Sequence, residues 1–136
     1  MDRQTYNQYL DRFHARDYDA VLSYFAPQFD VSFGGYSLRS RDTVRAFYTF
    51  LHRHARETLL VDAFLSDERM IAIEARVKLE GLRELSTDTA RAEGCEKLMV
   101  PAVGQTLEIR QFIHYHLDLG RFAKVQCAIY ESTAGP

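Results

Sequence analysis

Tyr6, Tyr9, Leu10 and Phe13 recur at the spacing of one helix face and predict a first amphipathic helix. Asp17 has the side chain of an N-cap and predicts a second, short helix, with Val21, Leu22 and Phe25 on its buried side and Pro27 closing it. Phe29 to Phe33 alternates apolar and polar, the strand period, and Gly34-Gly35 breaks it. Ser40 can cap a third helix, in which Val44, Phe47, Tyr48, Leu51 and Ala55 form one stripe. From Thr58 onward the period changes. Leu59 to Leu65 and Met70 to Leu82 read as strands around a turn at Ser66-Asp67-Glu68. Thr106 to Leu117 and Phe122 to Tyr130 read as two more, joined at Asp118-Leu119-Gly120-Arg121. Helices first and antiparallel strands later make an α+β fold. Residues 83–105 are polar. They can hold a helical turn, and Cys95 to Val100 can form a short strand before Pro101. The segment is either a solvated connection or a flap over a cavity, since long loops in compact domains often serve as lids.

Composition narrows the picture. A chain of 136 residues fits one domain, 1–136, and is long enough to bury a core. With 46% hydrophobic and 26% charged residues it is globular rather than disordered. A net charge of -2 argues against nucleic acid as a partner, because phosphate binding needs a basic surface. The sequence has no charged-then-apolar leader and no apolar run of membrane-spanning length. Cys95 and Cys127 lie far apart without metal spacing, which points to two reduced thiols and a cytoplasmic setting.

Three stretches, Phe13 to Pro27, Leu38 to Phe47 and His114 to Val125, resemble the nuclear transport factor 2-like superfamily, in its SnoaL-like branch. The first runs Phe13-x3-Asp17-Tyr18-Asp19-Ala20-Val21-Leu22-x2-Phe25-Ala26-Pro27. The second is Leu38-Arg39-Ser40-Arg41-Asp42-x2-Arg45-Ala46-Phe47. The third is His114 to Val125, a hairpin with Gly120 at its turn. Ser40 stands where the family usually has glycine, and Leu119 where its hairpin usually has aspartate. The resemblance implies a cone-shaped, curved antiparallel sheet wrapped around three N-terminal helices, one apolar pocket, and a homodimer through the outer face of the sheet. It leaves function open, because the superfamily includes isomerases, cyclases, dehydratases, hydrolases and proteins with no chemistry. Ketosteroid isomerase needs a carboxylate base on the first strand and an oxyanion site made of a tyrosine and a protonated aspartate. Aligned through Asp17, its tyrosine falls on Tyr9, its base on Phe33 and its aspartate near Phe112, so its chemistry is not expected here.

The remaining candidates are histidines and phenols. On the strand Gln111 to Leu117, Phe112, His114 and His116 share one face and Ile113, Tyr115 and Leu117 the other. Hydrophobicity favours Ile113, Tyr115 and Leu117 as the inward set. The alignment through Gly120 favours Phe112, His114 and His116. A sheet covered by helices on one side and a partner subunit on the other reconciles the two, and the expectation follows the alignment. His114 is then a pocket acid or base, with Tyr9 and Tyr48 as hydroxyl donors to a developing oxyanion. Phe13, Phe33, His52, Phe112 and His116 complete the expected ligand-binding set, with His52 near the pocket edge. His114 and His116 have a spacing that can chelate, whereas His52 and His54, two apart on a helix, do not share a face. No further ligand is announced, so no metal is expected. Asp30 is expected to point away from Phe33. The alternation of Glu74, Arg76, Lys78 and Glu80 with Ile73, Ala75, Val77 and Leu79 reads as an ionic surface.

No phosphate loop, Cys-His pair, serine elbow or dinucleotide fingerprint is present, so the expectation is chemistry without a cofactor. The reading is an isomerase, cyclase, dehydratase or lyase acting by acid–base chemistry on a small apolar molecule. The alternatives are a non-catalytic small-ligand-binding protein and a structural dimeric accessory domain. Polar groups converging on an open cavity favour the enzyme, an open and wholly apolar cavity the binder, and a collapsed cavity the structural domain.

Overall fold

The computed structural model describes residues 1–136. Helix α1 (Arg3–His14) starts where the Asp2 carboxylate accepts the Thr5 N–H at 2.8 Å, and it buries Tyr6, Tyr9, Leu10 and Phe13. After a left-handed residue at Arg16 (φ 61°), Asp17 caps α2 (Tyr18–Leu22). Strand β1 (Phe25–Phe33) follows at once. Phe25 and Pro27 therefore belong to a strand, not to the buried side and end of the second helix. Exposed Pro27 lies where the β1 register breaks between Phe25 and Asp30, the kind of irregularity that tolerates a residue without an N–H. Gly34 and Gly35, both at positive φ, turn β1 into β2 (Tyr36–Leu38).

Ser40 caps α3 (Arg41–His54), whose buried side is Val44, Phe47, Phe50, Leu51 and His54. Its first residue fastens the preceding elements. The Arg41 guanidinium donates to the Leu22 carbonyl at 2.7 Å and to the Phe25 and Ala26 carbonyls at 3.3 and 3.4 Å. No loop separates α3 from β3 (Ala55–Ser66), so Ala55 begins a strand rather than ending the helical stripe. Next come β4 (Met70–Gly81), α4 (Thr87–Ala92), β5 (Thr106–Asp118) and β6 (Arg121–Gly135). Residues 95–100 form no strand; beyond them, Val103 makes an isolated bridge with Gly81.

The six strands make one curved, open sheet in the order β2-β1-β6-β5-β4-β3. Every neighbouring pair is antiparallel except β1 and β6, which run parallel. The fold is α+β, with α1, α2 and α3 on the concave side. A single cluster of 26 buried residues fills the space between them. β4 shows the alternation cleanly: Ile71, Ile73, Ala75, Val77 and Leu79 are buried. The residues between them face out, where Arg76 pairs with Asp62 at 2.9 Å and with Glu108 at 3.7 Å.

Two hydrogen bonds tie α1 to the sheet. The Tyr6 and Tyr115 hydroxyls meet at 2.7 Å in the core, and His14 Nε2 accepts the Leu59 N–H at 3.0 Å. Burial holds the His14 pKa below the ordinary value of 6.5. The unfolded chain therefore takes up this proton first as pH falls. The stability His14 contributes is complete above its unfolded pKa and is lost as pH drops from there through the lowered folded value. His14→Gln, which cannot ionise, is expected to flatten that part of a stability–pH profile measured by urea unfolding.

Candidate functional site

The concave side encloses a cavity of about 150 Å³, lined by 27 residues of which 23 are hydrophobic. Four of the expected residues line it. Tyr9 and Phe13 come from α1, Phe33 from the end of β1 and Tyr48 from α3. The Tyr9 and Tyr48 hydroxyls make no hydrogen bond to protein. Desolvation, reinforced by the negative charge of Glu57, pushes both phenols well above the ordinary tyrosine range, so they serve as donors. Exposed Lys97 and Met99, with Leu98 between them, join the lining from the segment after α4 and mark the mouth of the cavity.

The β5 expectation is corrected. Ile109, Gln111, Ile113 and Tyr115 are buried on the concave side. Phe112 (43% exposed) and His114 lie on the outer face, and His116, half-buried, shares their parity and is absent from the cavity lining. Phe112 instead stacks on Tyr130 at 4.7 Å. The apolar side of the strand decided the matter. One phenol and two isoleucines gain more from burial than two imidazoles and one phenyl ring, and the sheet period allows no compromise between the two sets. His114 thus has no access to the cavity, and the inward position beside Phe112 that bears a polar group is Gln111.

Besides Lys97, two polar residues not anticipated from the sequence line the cavity. Gln111 is buried, lines the cavity and has no side-chain partner in the protein. Glu57 is the one carboxylate in the lining. Because β3 starts at Ala55, Glu57 shares the inward parity of Leu59, opposite Leu79 of β4. Its Oε1 lies 2.7 Å from His52 Nε2, and the two side chains are 12% and 4% exposed. His52 Nδ1 is 2.7 Å from the Tyr18 hydroxyl, which is also 3.3 Å from the Tyr48 carbonyl. This chain is satisfied in either protonation state of the imidazole. With His52 neutral, Tyr18 donates to Nδ1 while Nε2–H donates to Glu57. With His52 protonated, Nδ1–H donates to the Tyr18 oxygen and the phenol turns its proton to the carbonyl. His52 is held further by the rings of Phe13, Tyr18 and Tyr48 at 5.5–5.9 Å. It stands behind the cavity wall and reaches the cavity through Glu57.

Cys127 also lines the cavity, and burial pushes its thiol up to about 12, so it behaves as an apolar wall rather than a nucleophile. Asp30 points away from the cavity, accepts from Ser37 and Ser32 at 2.9 and 3.2 Å, and faces Arg39 at 3.4 Å. These partners, Ser37 first, hold its carboxyl below the usual range.

Comparison with known families and structures agrees with this architecture. The SnoaL-like domain family matches residues 6–125. No curated protein matches the chain in sequence. A proposed polyketide cyclase of Pseudomonas putida superposes with a TM-score of 0.71 at 20% identity, covering 92% of this chain and 87% of that one. An NTF2-like protein of unknown function from Burkholderia pseudomallei gives 0.68 at 17% identity, over 93% and 88% of the two chains. A computationally designed 17-OHP binder gives 0.67 at 17% identity, over 95% and 92%. At these identities the likeness is one of fold.

Proposed function

The chain belongs to the SnoaL-like family, and from that membership and the chemistry of its cavity we propose that it is a cofactor-independent enzyme of the isomerase, cyclase, dehydratase or lyase kind. Its substrate is a small apolar molecule carrying a carbonyl or hydroxyl, and the reaction runs by proton transfer. The observation that carries this reading is Glu57, a single carboxylate fixed by a buried histidine and lining a mostly apolar cavity. Its Oε2 has no hydrogen-bond partner in the protein. That oxygen takes a proton from the substrate carbon next to the carbonyl. The electron pair moves to the substrate oxygen, where the Tyr9 or Tyr48 hydroxyl, or the Gln111 amide, donates a hydrogen bond. Return of the proton from Glu57 to a different carbon gives isomerisation; its delivery to a departing β-hydroxyl, which leaves as water, gives dehydration; attack of the carbanion on a second carbonyl of the same molecule, whose oxygen then takes the proton, gives cyclisation. Screening small aromatic and alicyclic ketones and their hydroxy derivatives tests the reading. Turnover that depends on Glu57 supports it. Binding with no turnover supports the second reading, a non-catalytic binder, which the predominance of apolar lining and the use of this fold in a designed binder favour.

We further propose a homodimer formed through the outer sheet face, where Phe112 and the 54% exposed Tyr130 stack in the open. Light scattering at micromolar concentration is expected to report twice the chain mass. Phe112→Glu is expected to shift it to the monomer, and a monomeric parent protein would contradict the proposal.

A further inference from the structure

We propose that the ligand of this cavity is amphiphilic, with an apolar body inside and a carboxylate seated at the mouth on Lys97 and Tyr36. The inference rests on the cavity being a ligand site and adds the chemical class of the ligand. Among the lining residues only Lys97 and Glu57 carry charge, and they come from different parts of the fold. Glu57 lies at the start of β3, against His52. Lys97 lies on the segment after α4 and crosses the β1–β2 turn.

The lysine is placed by its surroundings. A Cβ built on Gly35 would come within 3.1 Å of Lys97 Nζ and 3.2 Å of its Cδ, so the stem lies where a side chain at position 35 would stand. Gly35 is also at φ +85°, which disfavours any other residue there. The Lys97 backbone N–H donates to the Tyr36 hydroxyl at 2.9 Å, fixing the segment to the turn. That bond uses the Tyr36 oxygen as an acceptor and leaves its own proton to donate. The Lys97 ammonium forms no ion pair, not even with the adjacent Glu96. The mouth therefore presents an ammonium and a phenol O–H with no acceptor assigned to them.

Electrostatics sets the orientation. A carboxylate pushed inward would lose its hydration in an apolar space and meet the like charge of Glu57. At the mouth it keeps water on one side and gains a charge-assisted hydrogen bond. The opposite, uncharged end is then delivered to Glu57, Tyr9 and Tyr48, so the mouth contact selects which end of the molecule can react. An apolar cavity of about 150 Å³ holds a body of roughly benzene size. An aryl-alkyl carboxylate whose ring enters and whose chain reaches back to the opening fits this arrangement.

The test compares two probes of nearly equal shape, 3-phenylpropionate and 3-phenylpropan-1-ol, by isothermal titration calorimetry. The carboxylate is expected to bind roughly three- to tenfold more tightly than the alcohol at low salt, because a partly exposed pair of this kind contributes only modestly. The preference should shrink at 0.5 M salt, disappear in Lys97→Met and persist in Lys97→Arg. Equal binding of the two probes by the parent protein, or an unchanged preference in Lys97→Met, would overturn the inference while leaving the cavity a ligand site. Failure of both probes to bind at millimolar concentration would overturn the cavity reading and this inference with it.

Discussion

Glu57→Gln is expected to lower turnover by about 10²–10⁴-fold while leaving the fold and ligand affinity close to those of the parent, because a positioned general base contributes on that scale. Glutamine has nearly the same shape, and its carbonyl oxygen still accepts the proton that His52 Nε2 directs at position 57, 2.7 Å away. What it loses is the ability to take a proton. The effect should therefore fall on kcat rather than on KM. Tyr9→Phe and Tyr48→Phe provide the contrast. The residue that holds the developing oxyanion should cost about 10²–10³-fold, and the other much less. His114→Ala should have no effect on the chemical step, since His114 lies on the far side of the sheet. A folded Glu57→Gln protein with full activity would eliminate the proton-transfer mechanism and leave the cavity as a binding site.

Most of the fold was legible because it depends on patterns that local chemistry enforces. The spacing of Tyr6, Tyr9, Leu10 and Phe13, and the caps at Asp17 and Ser40, specify helices by side-chain geometry alone. The Gly34-Gly35 and Leu119-Gly120 pairs do the same for turns, since all four residues adopt positive φ. Element ends were less legible. Ala55 continues the helical stripe of α3 in sequence and yet begins β3, because a direct helix-to-strand junction leaves no polar or glycine signal. That one boundary hid Glu57. With the strand taken to start near Leu59, Glu57 reads as a surface charge. With the strand starting at Ala55, it shares parity with Leu59 and must face the helices.

The β5 face illustrates a different limit. Every position from Phe112 to Leu117 carries an aromatic, imidazole or aliphatic group, so composition alone does not separate the two faces. A count carried back from Gly120 depends on register, and the register between β5 and β6 shifts twice, at Arg110/Gln111 and at His116/Leu117. Extending the alternation to Ile109, upstream of the disputed stretch, puts Ile109, Ile113 and Tyr115 on one face and resolves it in favour of hydrophobicity. Gln111 then enters the cavity with that set. The long-range bonds behind the site, such as Tyr18 to His52 across 34 residues, are products of tertiary packing and have no local signature.

Phe122→Ala is expected to cost about 3–5 kcal/mol of stability, the range for removing a large buried ring whose site collapses only partly. Phe122 is fully buried at the start of β6, where that strand meets both β1 and β5. Its ring touches those of Tyr115 at 4.8 Å, Tyr9 at 4.9 Å and Phe25 at 5.3 Å, and its N–H donates to the Tyr24 carbonyl at 2.9 Å. Truncation therefore opens a void beneath three residues that line the cavity, Tyr9, Phe25 and Tyr115. For a domain whose total stability is on the order of 5–15 kcal/mol, this is a large share. It should lower Tm by roughly 10–15 °C for a chain of this length. Phe122→Leu, which keeps most of the volume, should recover much of the loss. Urea unfolding followed by circular dichroism reads both values. If the alanine variant unfolds at the parent's midpoint, the aromatic cluster does not carry the junction of the three strands. If it is destabilised as expected, ligand affinity measured well below its unfolding temperature should also fall, because Tyr9 has then lost the ring that holds it toward the cavity.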